Sequence, residues 1–288
     1  MASIDLSKVK GVMRVNASSG HRFATCFVNT GCNRRCVYCV VPEQGSGIEL
    51  SPEIWRQITE RITSWGVRFV SLLGGEPTLR RDLPEIVEAI SGKAVVSLTS
   101  NGDTFVGSKG KERLELLSQH GLSVLNLSLH DLGEVERQLD ILQFARKIGL
   151  IPILATMITR ATIAQLPDIM RMANERGVLY RYFLYQDIGG SFSARVNGLA
   201  PTAEQLSGFI ALVREQQRKT HLIQNTASYI TSTTSVYPRG WHCDSNRDYW
   251  VVIDNEGRLM ACSEYPTPIR VLDIPTLKDP QWVQVRTA

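Results

Sequence analysis

The segment FATCFVNTGCNRRCVYC, residues 23–39, joins a short apolar run to a loop that carries three cysteines. Residues 23–29 are rich in aromatic and β-branched side chains, which predicts a strand. The loop places Cys32, Cys36 and Cys39 within eight positions. A fourth cysteine, Cys26, falls inside the predicted strand, and we expect it to be a small buried core residue.

The alternation of strand and helix continues along the chain. Further strands are predicted at 68–75, 94–102, 122–130, 150–159 and 180–187, separated by helices that start at Pro52 and near 82, 110, 134 and 164. Six strands in this order predict a parallel sheet with right-handed crossovers. Because six units are too few for an eightfold barrel, we expect an α/β fold with a partial (β/α)6 barrel, and a flat doubly wound sheet is the alternative.

After residue 187 the alternation ends. Thr202 and Gln205 form a capping box for one more helix. The strands YWVVID and RLMACS, on either side of residues 255–257, predict a hairpin. We therefore expect three parts: an N-terminal segment at 1–19, a barrel at 20–220, and a linker with a small appendage at 221–288.

Composition narrows the classes of function. The chain has 288 residues, 43% of them hydrophobic and 21% charged, which is ordinary for a globular protein. A net charge of +4 is too small to indicate a nucleic-acid partner. No apolar stretch reaches the ~18 residues of a membrane span, so we expect a cytoplasmic protein without membrane association. In that compartment clustered cysteines serve metals or catalysis more often than disulfides.

The spacing CxxxCxxC favours an iron–sulfur cluster over structural zinc. Structural zinc sites usually have four ligands, and no neighbouring Cys or His in the sequence completes a tetrahedron here. A [4Fe–4S] cluster held by three thiolates leaves one iron open. Polar residues also follow the other predicted strands, and the carboxyl ends of parallel strands share one edge, where ligands bind.

The cysteine triplet, with Tyr38 before its last member, resembles the cluster loop of the radical S-adenosylmethionine (SAM) enzymes. The sequence GGEP at 74–77 resembles the second signature of that family. The resemblance covers residues 20–190 and implies a [4Fe–4S] cluster on Cys32, Cys36 and Cys39, with SAM on the fourth iron. It further implies that SAM contacts Tyr38, Gly74, Gly75, Glu76, Ser100, Asn101, Ser128, His130 and Thr156.

The resemblance also implies a reaction. One electron passed to the SAM sulfonium yields a 5′-deoxyadenosyl radical, which removes hydrogen from an unactivated C–H bond. The implied electron donor is a flavodoxin or a ferredoxin. Arg34 and Arg35 then have two open interpretations, as a solvated face or as a docking point for such an acidic donor.

Two cysteines lie near the C-terminus. Cys243 and Cys262 form a C-x13-G-x4-C pattern around Gly257, which resembles the start of the SPASM/twitch appendage, but no cysteine follows Cys262. With His242 and Asp244 they could hold a second cluster, or both could be buried. A site short of ligands would leave a thiol free, so Cys243 is a candidate hydrogen-atom donor for a redox-neutral epimerisation, with Cys262 as the second candidate.

Three functions stay open at this point. The first is epimerisation of a small polar metabolite, such as a sugar, aminoglycoside or nucleoside natural product. It is favoured because only about 20 residues precede the first strand, which leaves no room for the leader-binding domain of many peptide-modifying relatives. The second is dehydrogenation or peptide maturation with a second cluster, and the third is a non-catalytic metal-binding or electron-transfer module.

Overall fold

The computed structural model describes residues 23–39, 41, 47–184, 198–225, 250–262 and 265–287. Its strands are β1 Phe23–Phe27, β2 Phe69–Leu73, β3 Val95–Ser100, β4 Leu122–Leu129, β5 Ile151–Ile158, β6 Leu179–Leu184, β7 Trp250–Ile253, β8 Arg258–Cys262 and β9 Tyr265–Arg270. Its helices are α1 Pro52–Ser64, α2 Leu83–Ser91, α3 Gly107–Gln119, α4 Val135–Lys147, α5 Leu166–Glu175, α6 Ala203–Lys219 and α7 Pro280–Thr287.

The described strands form one sheet in the order β6-β5-β4-β3-β2-β1-β7-β8-β9. Strands β1 to β6 pair in parallel with their neighbours, which confirms the predicted partial (β/α)6 barrel. Strands β1 and β3 end before the polar residues Asn29 and Asn101, which the predicted strands had included, because those residues begin the connecting loops.

Side chains along β1 to β6 alternate between two faces, as the two-residue period of a strand requires. One face packs on the helices in a single apolar core that includes Cys26, Leu98 and Leu154. Cys26 is 1% exposed, which confirms its predicted core role, and burial raises the pKa of its thiol to about 12. We call the opposite face the inner face; its polar residues are Thr25, Ser71, Ser97, Thr99, Asn126, Ser128 and Arg181.

The predicted C-terminal hairpin is present, with β7 antiparallel to β8. It is continuous with the barrel sheet, because β7 pairs in parallel with β1 and Val252 lies opposite Thr25. The carboxyl end of β7 therefore lies at the same edge as the cysteine loop. The domain boundaries at 19 and 220 stay predictions. None of the described helices is long and apolar enough to cross a membrane.

Candidate functional site

The loops after β1 and β2 are joined through their backbones. The Gly75 amide donates to the Asn29 carbonyl at 3.0 Å, and the Glu76 amide donates to the Gly31 carbonyl at 2.8 Å. A Cβ atom added at Gly75 would lie 2.3 Å from the Gly31 oxygen and 2.4 Å from the Thr30 oxygen. Position 75 therefore requires glycine, because the cysteine loop approaches the backbone there too closely for a Cβ atom. The predicted contact of Gly74 and Gly75 with a cofactor stays a prediction.

Glu76 is 1% exposed, and both of its carboxylate oxygens have partners. Oε1 accepts from the Thr78 hydroxyl at 2.5 Å, the Thr78 amide at 3.1 Å and the Ser100 hydroxyl at 2.9 Å. Oε2 accepts from the Asn101 amide at 2.8 Å. The carboxylate thus ties the loop after β2 to the end of β3, and its predicted contact with a SAM amino group stays a prediction.

Ser100 and Asn101 are engaged in the same way. The Ser100 hydroxyl also accepts from the Gly102 amide at 3.0 Å. The Asn101 side chain donates to Asn33 Oδ1 at 2.8 Å and accepts from the Asp103 amide at 3.0 Å. Through Asn33, the end of β3 is connected to the cysteine loop, while the predicted ribose and carboxylate contacts of Ser100 and Asn101 remain untested.

Tyr38 and His130 lie together at the edge of the site. The Tyr38 hydroxyl is 2.5 Å from His130 Nδ1, and the two rings are stacked with their centroids 6.0 Å apart. Burial, together with the positive charge of Arg34, lowers the pKa of His130 to about 4, so its imidazole is neutral at pH 7. Burial also raises the pKa of Tyr38. Tyr38 and His130 therefore form an uncharged aromatic surface at pH 7, beside the last cysteine of the loop.

Ser128 and Thr156 lie on opposite faces of the sheet. Ser128 is on the inner face, opposite Ala155 of β5. Thr156 shares its face with Leu154 and Ile158, which belong to the core under the helices, and its hydroxyl hydrogen-bonds that of Tyr180. This placement gives no support to the prediction that Thr156 contacts a cofactor.

The three loop cysteines are partly exposed and not disulfide-bonded. Burial raises the pKa of Cys36, and the neighbouring Cys39 and Cys32 thiols raise it further. Among the described residues, no three His, Cys, Asp or Glu side chains are gathered closely enough to hold a metal ion. The loop would have to draw its sulfur atoms together around a cluster. Cys243 lies outside the described residues, and Cys262 is the last residue of β8.

Sequence reasoning missed the ion-pair partners of the cysteine loop. Arg34 binds Asp103, after β3, and Glu134, after β4, so it is not a free docking point for a donor protein. Arg35 is exposed and donates to the Cys32 and Arg34 carbonyls. The sequence does contain an indication of these partners, because an acidic residue lies within six positions after the end of β3 and of β4.

Asn126 was also missed. It is 5% exposed, lies on the inner face and donates to the Thr99 hydroxyl at 3.2 Å. Its signal in the sequence was an amide at the centre of the run LSVLNLSL of β4, between the leucines at 125 and 127. Such a residue is an exception to the rule that strand interiors are apolar, so it marks a polar surface inside the barrel.

Comparison with known proteins gives a family match. The model of the radical SAM superfamily matches residues 27–179. The GTP 3',8-cyclase of Listeria monocytogenes serovar 1/2a is 30% identical over 190 residues, which cover 59% of this chain and 55% of that protein. A probable GTP 3',8-cyclase of Methanocella arvoryzae is 33% identical over 140 residues, 44% of each chain. The chain thus spans about half the length of these curated relatives.

Solved structures show the same fold. Streptococcus suis SuiB bound to S-adenosylmethionine superposes with a TM-score of 0.72 at 16% identity, over 98% of this chain and 71% of that one. Native anSMEcpe with bound AdoMet gives a TM-score of 0.65 at 14% identity, over 91% of this chain and 82% of that one. At such identities the likeness establishes the fold.

Proposed function

This chain belongs to the radical SAM superfamily, and on that basis we propose that it performs a redox-neutral radical reaction on a small polar metabolite, with epimerisation as the first candidate. The observation that carries the proposal is the arrangement at one edge of the sheet. The cysteine loop, the Gly74–Gly75 turn and the ends of β3 and β4 meet there. The inner face leading to this edge carries hydroxyl and amide groups, which suit a polar substrate.

Family membership implies a [4Fe–4S] cluster and SAM, and the donor set fits them. Three thiols lie in one loop without disulfides, and burial, followed by the charges of Cys39 and Cys32, raises the pKa of Cys36. Binding of the three thiolates to a cationic cluster would offset the repulsion between them. When bound, the cluster and SAM supply a 5′-deoxyadenosyl radical that removes hydrogen from a C–H bond. Cys32, Cys36 and Cys39 would hold the cluster. Tyr38 and His130 would border the SAM site with an uncharged surface.

Epimerisation requires a hydrogen atom delivered to the opposite face of the substrate radical, and a thiol S–H bond can supply it. The thiyl radical that remains would be returned to the thiol by one electron from the flavodoxin or ferredoxin and one proton from solvent. Cys243 is the first candidate donor and Cys262 the second, on the count and position of thiols in the sequence. A second candidate function is cyclisation of a nucleotide, favoured by the 30% identity with proteins named GTP 3',8-cyclase. Dehydrogenation or peptide maturation would instead need a second cluster at Cys243 and Cys262.

Anaerobic reconstitution with iron and sulfide tests the cluster assignment. We expect about four irons per chain in the wild type, and about eight if a second cluster forms. Cys36→Ala should lose most of this iron, and the matched control Cys26→Ala, a core thiol, should keep it. Zinc in place of iron, or full iron retention by Cys36→Ala, would overturn the proposal.

The reaction type is tested in deuterated water with SAM, a flavodoxin or ferredoxin as the predicted electron donor, and sugar, nucleoside and GTP probes. Deuterium at the inverted carbon, lost in Cys243→Ala, supports epimerisation. A cyclised product from GTP without solvent label supports the second candidate. Absence of 5′-deoxyadenosine with every probe, in protein with a full complement of iron, argues for a non-catalytic module.

A further inference from the structure

One arginine connects the cysteine loop to two other loops of the site. Arg34 Nε donates to Asp103 Oδ2 at 2.8 Å, and Nη2 donates to Asp103 Oδ1 at 2.5 Å. The same Nη2 donates to Glu134 Oε1 at 3.0 Å. Asp103 follows β3 and Glu134 follows β4. A single side chain between two cysteines therefore contacts residues of two loops, 69 and 100 positions further along the chain.

Arg137 closes this group into a network of two cations and two anions. Its Nη2 lies 3.1 Å from Asp103 Oδ1 and 2.8 Å from Glu134 Oε1. The four side chains are 18–34% exposed, so water screens them less than an exposed pair such as Arg56–Glu53 on α1, where the side chains are 46% and 56% exposed. A bidentate arginine in a partly buried network also fixes an angle, which a single contact does not.

The network adjoins residues that are predicted to contact SAM. Asn33 donates to Asp103 Oδ2 at 2.9 Å and accepts from Asn101. Glu134 lies four residues after His130, which contacts Tyr38 of the cysteine loop. We propose that Arg34 is a positioning residue, which fixes the orientation of the cysteine loop relative to the loops after β3 and β4. Its removal would leave the three cysteine ligands in place and change the angle at which a cluster faces the SAM site.

This inference rests on the proposed function, and Arg35 offers a matched control. Arg35 has the same charge and lies in the same loop, but within the described part of the chain it donates only to the Cys32 and Arg34 carbonyls of that loop. An effect of net charge on the cluster would appear in Arg34→Gln and Arg35→Gln alike. An effect of positioning would appear in Arg34→Gln and in Asp103→Asn, which removes the negative charge and one of the two acceptor oxygens at the other end of the same contact.

Hydrogen exchange of the metal-free protein is the first measurement. We expect Arg34→Gln and Asp103→Asn to raise exchange at residues 31–39, 101–105 and 131–135, with the fold elsewhere unchanged. Arg35→Gln should exchange like the wild type. Because the contact is shared, the double variant should resemble either single variant, since coupled residues are not additive.

The reconstituted proteins give the second measurement. We expect wild-type iron content in all variants, about tenfold weaker SAM binding in Arg34→Gln and Asp103→Asn, and less than about twofold change in Arg35→Gln. The change that SAM causes in the electron paramagnetic resonance spectrum of the reduced cluster should differ from wild type in the first two variants only. Equal behaviour of Arg34→Gln and Arg35→Gln would overturn the positioning role. Failure of the wild type to bind iron or SAM would instead overturn the proposed function.

Discussion

Replacing Glu76 by alanine distinguishes its structural role, which is to connect the loop after β2 to the end of β3, from a role in ligand binding. The variant is studied without metal or SAM, so only contacts within the chain matter. Alanine would leave four donors, two from Thr78 and one each from Ser100 and Asn101, without their acceptor in a buried site. Hydrogen bonds to a charged group contribute about 1.5–3 kcal/mol each, a buried donor left without an acceptor costs about 1–3 kcal/mol, and such losses are not additive. We therefore expect the free energy of unfolding to fall by about 3–5 kcal/mol, measured by urea titration with circular dichroism.

Glutamine at the same position gives an intermediate case. Its carbonyl can serve the three donors of Oε1, but its amino group then faces the Asn101 amide, a donor against a donor, so we expect a loss of about 1–3 kcal/mol. Glu53→Ala is the control, because Glu53 also accepts from neighbouring side chains but is exposed on α1, and its unfolding midpoint should hardly change. A wild-type midpoint for Glu76→Ala would refute the reasoning. If SAM binding were then also lost, Glu76 would be a ligand contact.

Two further substitutions test the architecture of the site. Gly75→Ala should lower stability by about 2–4 kcal/mol, because its Cβ meets two backbone oxygens, and that of Gly31 cannot move without breaking its hydrogen bond to the Glu76 amide. Gly92→Ala, with no atom within 4 Å of the added Cβ, should be close to neutral, and equal melting temperatures for the two variants would contradict the close approach of the loops. Thr156→Val should cost about 1 kcal/mol through its lost bond to Tyr180 and leave SAM affinity within about twofold. A tenfold loss of affinity would place Thr156 in the site after all.

The order of elements could be predicted because its signals are local. Ser51 caps α1 by accepting from the Ile54 amide, and Thr202 forms the expected capping box with Gln205 at α6. The apolar strands repeat at the spacing of βα units. The position of the C-terminal hairpin could not be predicted in this way. The turn of the hairpin is local, but the pairing of β7 with β1 joins segments more than 200 residues apart. The periodicity of apolar residues does not indicate which distant strand a given strand pairs with.

The position of the site in the fold could be predicted from the sequence, but the contacts that each side chain makes could be predicted only in part. Polar residues after parallel strands meet at one edge by necessity, which brought Tyr38 to His130 and Asn101 to Asn33. Two of the four donors to Glu76 come from the nearby Thr78, but the other two come from the end of β3, and nothing in the sequence indicates that long-range bonding. Thr156 did leave one: it is two residues from both Leu154 and Ile158, so the period of the strand already placed it on the helix-covered face.

Contacts with residues at the ends of three strands hold the cysteine loop in position. Asn29 joins the loop to β2 through the backbone, Asn33 joins it to β3, and Tyr38 joins it to β4. Three links from one short loop to three successive strands restrict its orientation before any ligand is present. A cluster with only three protein ligands needs this restriction, because a fourth ligand supplied by a cofactor must find its iron at a defined place. It follows that changes at these positions should first appear in the ligand-free protein, as altered stability or hydrogen exchange, and only then in the chemistry.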